Sequence, residues 1–125
     1  MSDQQVTTID RRDGLVVALV EQAEMDAEAT NRMRTEVLAA AEESRGSHVV
    51  LDLSNVAFFP SMALGAIVVL LNTLKQHGQK FILVGLQPAV RDSLAVTRLD
   101  KLFEIRDDVE DVLAHQRRED AAAGD

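Results

Sequence analysis

Ten consecutive residues, Met62-Ala63-Leu64-Gly65-Ala66-Ile67-Val68-Val69-Leu70-Leu71, carry no polar side chain. A helix over this run is apolar on nearly every side and has to be packed within a protein. The run is about half of what a bilayer span requires, so a membrane is not what buries it. Its neighbours supply the alternative. Val49, Val50, Leu51 and Leu53 precede it and Phe81 to Leu86 follows it. Both are short apolar runs of the kind shown by parallel strands covered on two faces. Strand, helix, strand in that order implies a parallel pair joined by a right-handed crossover.

The rest of the chain extends this unit. Val6 to Ile9 and Leu15 to Val20 read as strands around Asp13-Gly14, a standard hairpin turn pair. Asp26 or Thr30 can cap a helix running to about Glu43, with Met33, Val37, Ala40 and Ala41 on one face and Gly46 beyond its end. Gly78 stops the central helix. Pro88 suits the first turn of another, whose inner face is Val90, Leu94 and Ala95 or Leu99. Leu102 to Ile105 is a last short strand, and Asp107 or Asp108 caps a final helix carrying Val109, Val112 and Leu113. The expected fold is a single α/β domain over residues 1–115, with a mixed, mostly parallel sheet of four to five strands and about four helices. Residues 116–125, charged and then Ala-rich, are expected to fray as a disordered tail.

Composition narrows the function. There is no cysteine, which removes disulfide scaffolds, thiolate catalysis and Cys-based zinc sites. Thirteen basic against 21 acidic residues leave a net charge of −8, which disfavours nucleic acid and anionic membranes as partners. The first eight residues are polar and lack the layout of a signal peptide. A soluble cytoplasmic protein without membrane insertion is the expectation.

Several segments resemble a known family. Val49-Val50-Leu51-Asp52-Leu53-Ser54-Asn55-Val56 is similar to the strand and loop that precede the signature of STAS domains, which include bacterial anti-sigma-factor antagonists. The family signature reads roughly hydrophobic-Asp-Ser-Ser/Thr-Gly-Leu-Gly. The matching stretch here is Phe59-Pro60-Ser61-Met62-Ala63-Leu64-Gly65. The first serine, Leu64 and Gly65 are kept, while Pro60, Met62 and Ala63 replace the aspartate, the second hydroxyl residue and the first glycine. Leu74 to Gly78 with Phe81 to Leu86, and Val96 to Leu113, resemble the later parts of the fold. The resemblance implies a STAS-type sheet and a protein that works by binding others. Its implied partner is an anti-sigma factor that is also a serine-kinase-type ATPase. Ser61 falls where such a kinase phosphorylates, and Phe59, Pro60, Ser61, Met62, Ala63 and Gly65 form the implied partner-binding loop. The alternative is a non-phosphorylated STAS adaptor, such as a stressosome scaffold or an accessory subunit of a lipid-transport ATPase.

Ser61 has two physical readings. A hydroxyl at a helix start lies near free backbone N–H groups and the positive end of the helix dipole, so a phosphate is tolerated by the fold there. Equally, Ser61 can be a plain N-cap whose oxygen accepts the N–H of Ala63 or Leu64. Phe59, Pro60 and Met62 make the loop apolar enough to suit a protein partner if they are exposed. Phe58 is expected to be partly core, with Phe59 and Met62 open to either role.

No other constellation points to chemistry. His48, His77 and His115 fall at a strand start, a helix end and the last helix, so no metal site or triad is expected. Ser61 has no local base and Gly65-Ala66 is not a nucleophile elbow. Gly85-Leu86-Gln87-Pro88 lacks the glycines of a phosphate loop. The acids from Glu21 to Glu28 and from Asp107 to Asp111 suit helix starts. The expectation is a protein without cofactor, metal or catalytic residues. An enzyme or small-molecule binder is the least favoured class.

Overall fold

The computed structural model describes residues 5–123, so Met1–Gln4 and the last two residues of the expected tail lie outside the description. Five strands form one sheet in the order β1-β2-β3-β4-β5. They are β1 (Thr7–Arg12), β2 (Leu15–Val20), β3 (His48–Asp52), β4 (Phe81–Val84) and β5 (Glu104–Arg106). The helices are α1 (Ala27–Glu43), α2 (Ser61–Gln76), α3 (Pro88–Val96) and α4 (Val109–Ala123), with a 3-10 turn at Leu99–Lys101. β1 pairs antiparallel with β2, and every other neighbouring pair is parallel. The hairpin turn is of the kind that Asp-Gly favours, since Asp13 and Gly14 both have positive φ, at 51° and 79°.

Sheet order follows sequence order, so each crossover advances in the same direction. Crossovers of one hand then place α1, α2 and α3 on the same face. Strand alternation records the result. Val16, Ala18 and Val20, Val49, Leu51 and Leu53, and Phe81 and Leu83 join the core under those three helices. Leu15, Val17, Val50, Ile82 and Val84 face the other way, against Val109, Val112 and Leu113 of α4. Both faces of β2, β3 and β4 are thus buried, which accounts for their unbroken apolar runs.

Local caps agree with the sequence in several places. Asp26 Oδ1 accepts the Ala29 N–H at 2.8 Å, and Asp108 Oδ1 accepts that of Asp111 at 2.8 Å. Pro88 opens α3 as expected. The C-terminal segment differs from expectation. α4 continues past Gln116 to Ala123. Gln116 Nε2 donates to the Asp13 carbonyl at 3.1 Å, and the Glu119 carboxylate lies 3.5 Å from Lys80 Nζ. These contacts to distant segments extend the helix along the sheet. Among the described residues no helix is long and apolar enough to cross a membrane.

Gly85 ends β4 with φ +71°, and a Cβ there meets Asp52 Oδ1 and Ser54 Cβ at 3.0 Å. Gly46, at φ +98°, has open space around it. Both positions carry the left-handed penalty of about 1–2 kcal/mol for a side chain. We therefore expect Gly85→Ala to destabilise the protein clearly more than Gly46→Ala in urea unfolding. Equal losses would mean that the Asp52–Ser54 turn yields without cost.

At the amino-terminal end of the parallel strands, His48 Nδ1 accepts the Lys80 N–H at 3.0 Å. Burial first, and then the Lys80 ammonium, hold this imidazole below its ordinary pKa of 6.5. The fold favours neutral His48, so on acidification the unfolded chain takes up the proton first. The associated stability is full above about pH 6.5 and is lost as pH falls through the folded-state titration. His48→Asn can still accept the Lys80 bond but does not titrate. Unfolding free energies measured from about pH 7.5 to about 5.5 should fall less steeply for this variant. An unchanged slope would exclude His48 as its source.

Candidate functional site

The loop from Leu53 to Pro60 leaves the carboxyl end of β3, the edge where open parallel sheets bind their ligands. It is tied down along its length. Leu53 N–H donates to the Val84 carbonyl at 2.9 Å, and Ser54 N–H to Asp52 Oδ1 at 3.0 Å. Gln87 Nε2 reaches from the start of α3 to the Ser54 carbonyl at 2.8 Å. Ala57 N–H bonds the Ala23 carbonyl at 2.9 Å, and Phe58 forms a parallel bridge with Glu24. The loop therefore presents its side chains from a fixed backbone.

Two adjacent residues in extended backbone point opposite ways, so only one of Phe58 and Phe59 can enter the core. Pro60 holds the preceding residue extended, which enforces the alternation. The inward residue is Phe59, at 1% exposure, and the outward one is Phe58, at 54%. This reverses the expectation of a core Phe58. Ala63 is also fully buried. Its methyl group fills core space and does not stand on the surface where a partner would approach.

Ser61 is the first residue of α2, not its cap. The N-cap is Pro60 (φ −73°, ψ 170°), whose carbonyl accepts the Leu64 N–H at 3.0 Å. The helix starts one residue earlier than the capping alternative requires, because Pro60 supplies the last extended residue. There is no side-chain cap on α2. The exposed Ser61 hydroxyl has no hydrogen-bond partner among the described residues. The N–H groups of Ser61, Met62 and Ala63 lie in the first turn, where a helix offers no internal acceptor. No acidic residue offsets the dipole there.

Around Ser61 the surface is apolar. Met62 is 55% exposed and Val96, on α3, is 83% exposed. Phe58, Pro60, Ser61, Leu64 and Val96 line an open groove between α2 and α3, together with Asp92, its one charged lining residue. Gly65 is exposed one turn further along α2 with nothing within 4 Å of where its Cβ would stand. Of the six residues expected in a partner-binding loop, Pro60, Ser61, Met62 and Gly65 thus reach the surface together. Phe59 and Ala63 support them from below. Phe58, Val96 and Asp92 join the site without a sequence signal. Phe58 was hidden by the one-in, one-out ambiguity, and the α3 residues lie about thirty positions away in the chain.

The histidines do not converge with this site. His48 and His115 line a separate cavity at the opposite end of the sheet. Among the described residues, no three His, Asp or Glu side chains lie close enough to hold a metal ion.

The fold and the signature loop together define the class of protein. Residues 7–112 match the STAS domain family. An anti-sigma factor antagonist from Mycobacterium paratuberculosis is 26% identical, with 94% of this chain and 97% of that one covered at a TM-score of 0.78. SpoIIAA in its unphosphorylated form is 18% identical, covering 90% and 96% at 0.73. A chain of the stressosome, described as a signal integration and transduction hub, is 19% identical, covering 89% and 96% at 0.69. This chain belongs to the STAS domain family.

An exposed hydroxyl at an uncompensated helix start tolerates negative charge. An acid in the first turn is worth about 0.3–1 kcal/mol in the helix's favour. Ser61→Asp is expected to keep or slightly raise the thermal midpoint, and Ser61→Lys to lower it. The reverse order in thermal denaturation would show that Asp92 outweighs the dipole.

Proposed function

We propose that this STAS domain is a regulatory protein of the anti-sigma-factor-antagonist type. It works by exchanging protein partners at the α2 start, with Ser61 as the residue whose phosphorylation dissociates the complex. One observation carries the reading. Ser61 presents an unpartnered hydroxyl from a rigid loop, in the middle of an exposed apolar surface made by Phe58, Met62 and Val96. The partner expected is an anti-sigma factor that is also a serine-kinase-type ATPase, and the setting is the cytoplasm. The work done is binding rather than catalysis.

The energetics suit a switch. Phosphorylation adds nearly two negative charges. Within the protein these face the free N–H groups of the first turn, so the fold survives. The groove lining offers Asp92 and no basic side chain to neutralise them. In an interface that has excluded water, an unpaired charge costs several kcal/mol. At about 4 kcal/mol the complex weakens roughly a thousandfold.

A second reading has an observation of its own. Pro60 and Met62 replace an acid and a hydroxyl of the family signature, which leaves the rim more apolar and Ser61 without the acid that precedes it in the signature. That favours a constitutive adaptor, such as a stressosome or transporter subunit, bound through the same face. Pull-down from the native host with wild type, Ser61→Ala and Ser61→Asp separates the two. Partner switching predicts an ATPase of the kinase type held by wild type and Ser61→Ala and lost by Ser61→Asp. A scaffold or transporter subunit retained equally by all three would falsify switching and establish the adaptor.

A further inference from the structure

Four methionines carry all the sulfur of this chain, which has no cysteine, tryptophan or tyrosine to compete for an oxidant. Met1 lies outside the described residues. Met25 and Met33 are core residues, at 2% and 0% exposure. Met62 is the exception, at 55%. Among the described residues its thioether is therefore the one sulfur that a water-borne oxidant reaches. With thiols absent, an exposed thioether is the side chain most open to peroxide.

Position gives that chemistry a consequence. Met62 is the second residue of α2, directly after Ser61, on the apolar surface that also carries Phe58 and Val96. A flexible, polarisable side chain held out in solvent suits adaptable contact with another protein. The STAS signature has a hydroxyl residue here, which is inert to peroxide, where this chain has Met62. The sensitivity thus comes from the chain's own departure from the signature.

We propose that Met62 is a reversible oxidation site that controls association at the start of α2. The step needs one co-reactant, a two-electron peroxide. The sulfur lone pair attacks a peroxide oxygen, the S–O bond forms as the O–O bond breaks, and after a proton shift water leaves. Sulfur is oxidised by two electrons and the peroxide is reduced by two. The product is a sulfoxide, polar and chiral where the thioether was apolar. An apolar interface leaves the new oxygen without a donor, and an unpaired polar group there weakens binding about tenfold or more. The fold is spared, because the modified sulfur stands in solvent and the core methionines are shielded. Reversal takes two external thiols, delivered through a methionine sulfoxide reductase. They become a disulfide, and the sulfoxide oxygen leaves as water. The proposal rests on the reading of this face as an association surface, and it adds a second control that does not pass through Ser61.

The test exposes the folded full chain to graded hydrogen peroxide and follows each methionine by peptide mass spectrometry. Met62 should take up oxygen at least about tenfold faster than Met25 and Met33, with the thermal midpoint retained. Each sample then serves as bait in native-host extract. Capture of the partner should fall about tenfold as the Met62 sulfoxide fraction rises, whatever happens at Met1, and return after treatment with methionine sulfoxide reductases A and B. Met62→Leu, at whatever level it captures the partner, should hold that level through the peroxide series. Equal oxidation rates at Met62 and the core methionines, capture indifferent to the Met62 sulfoxide, an equal fall in Met62→Leu, or a loss that the reductases do not repair would each overturn the proposal. A partner released by Ser61→Asp but kept by the sulfoxide sinks the oxidation switch and leaves phosphorylation standing. A partner kept by Ser61→Asp but released by the sulfoxide does the reverse. Reduced wild type that captures no partner overturns both.

Discussion

The parallel pairing of β3 between β2 and β4 is the constraint on which the remaining structure depends. Val49, Leu51 and Leu53 project under α1, α2 and α3, while Val50 projects under α4, so this one strand contributes to both cores. A one-residue slip of β3 would exchange its two faces and disrupt both layers at once. Because β3 is held on both sides, its carboxyl end is a fixed point. The loop that leaves it inherits that rigidity through the bonds from Val84, Gln87 and Ala23. Ser61 is therefore presented from a stationary platform, although it lies at the beginning of a helix and on the surface.

The same constraint explains how α2 can be nearly all apolar and still carry an exposed apolar surface. Ala63, Ala66, Ile67, Leu70 and Leu74 face the core. Packing against α1 accounts for one flank. Leu64 is buried with them and also lines the groove beside Ser61, while Val68 and Leu71 are partly buried against the same core. The apolar run that demands burial in the sequence is thus divided between the core and an exposed surface that carries Met62 and Val69.

Much of the site was legible from the chain alone. The run Phe59 to Gly65 marks the loop, and the spacing of Ser61, Leu64 and Gly65 carries the likeness to the STAS signature. The inward or outward choice within Phe58-Phe59 was not legible, since either residue satisfies local propensity. Bonds to Ala23 and the bridge to Glu24 decide it, and those partners are more than thirty residues away. The capping alternative for Ser61 fails by one residue for a related reason. Serine is the better capping side chain, but Pro60 supplies the extended residue that α2 starts from, and this frees the Ser61 hydroxyl. Gln79 was invisible in the same way. Its amide donates to the carbonyls of Ala41, Ser44 and Ser47 at the end of α1, a role that no local pattern announces.

By itself the sequence determined the element order, the mostly parallel sheet and the hairpin turn, and it narrowed two helix caps to Asp26 or Thr30 and to Asp107 or Asp108. Each follows from hydrophobic period or from a side chain acting on its own backbone, and such interactions are complete within a few residues. Tertiary structure alone decided that Phe59 and Ala63 are core while Phe58 and Val96 are surface. It also decided that α4 persists to Ala123 and that α2 and α3 stand apart to form a groove. These outcomes depend on which distant segments share the same space, and packing, unlike propensity, is a property of the whole chain.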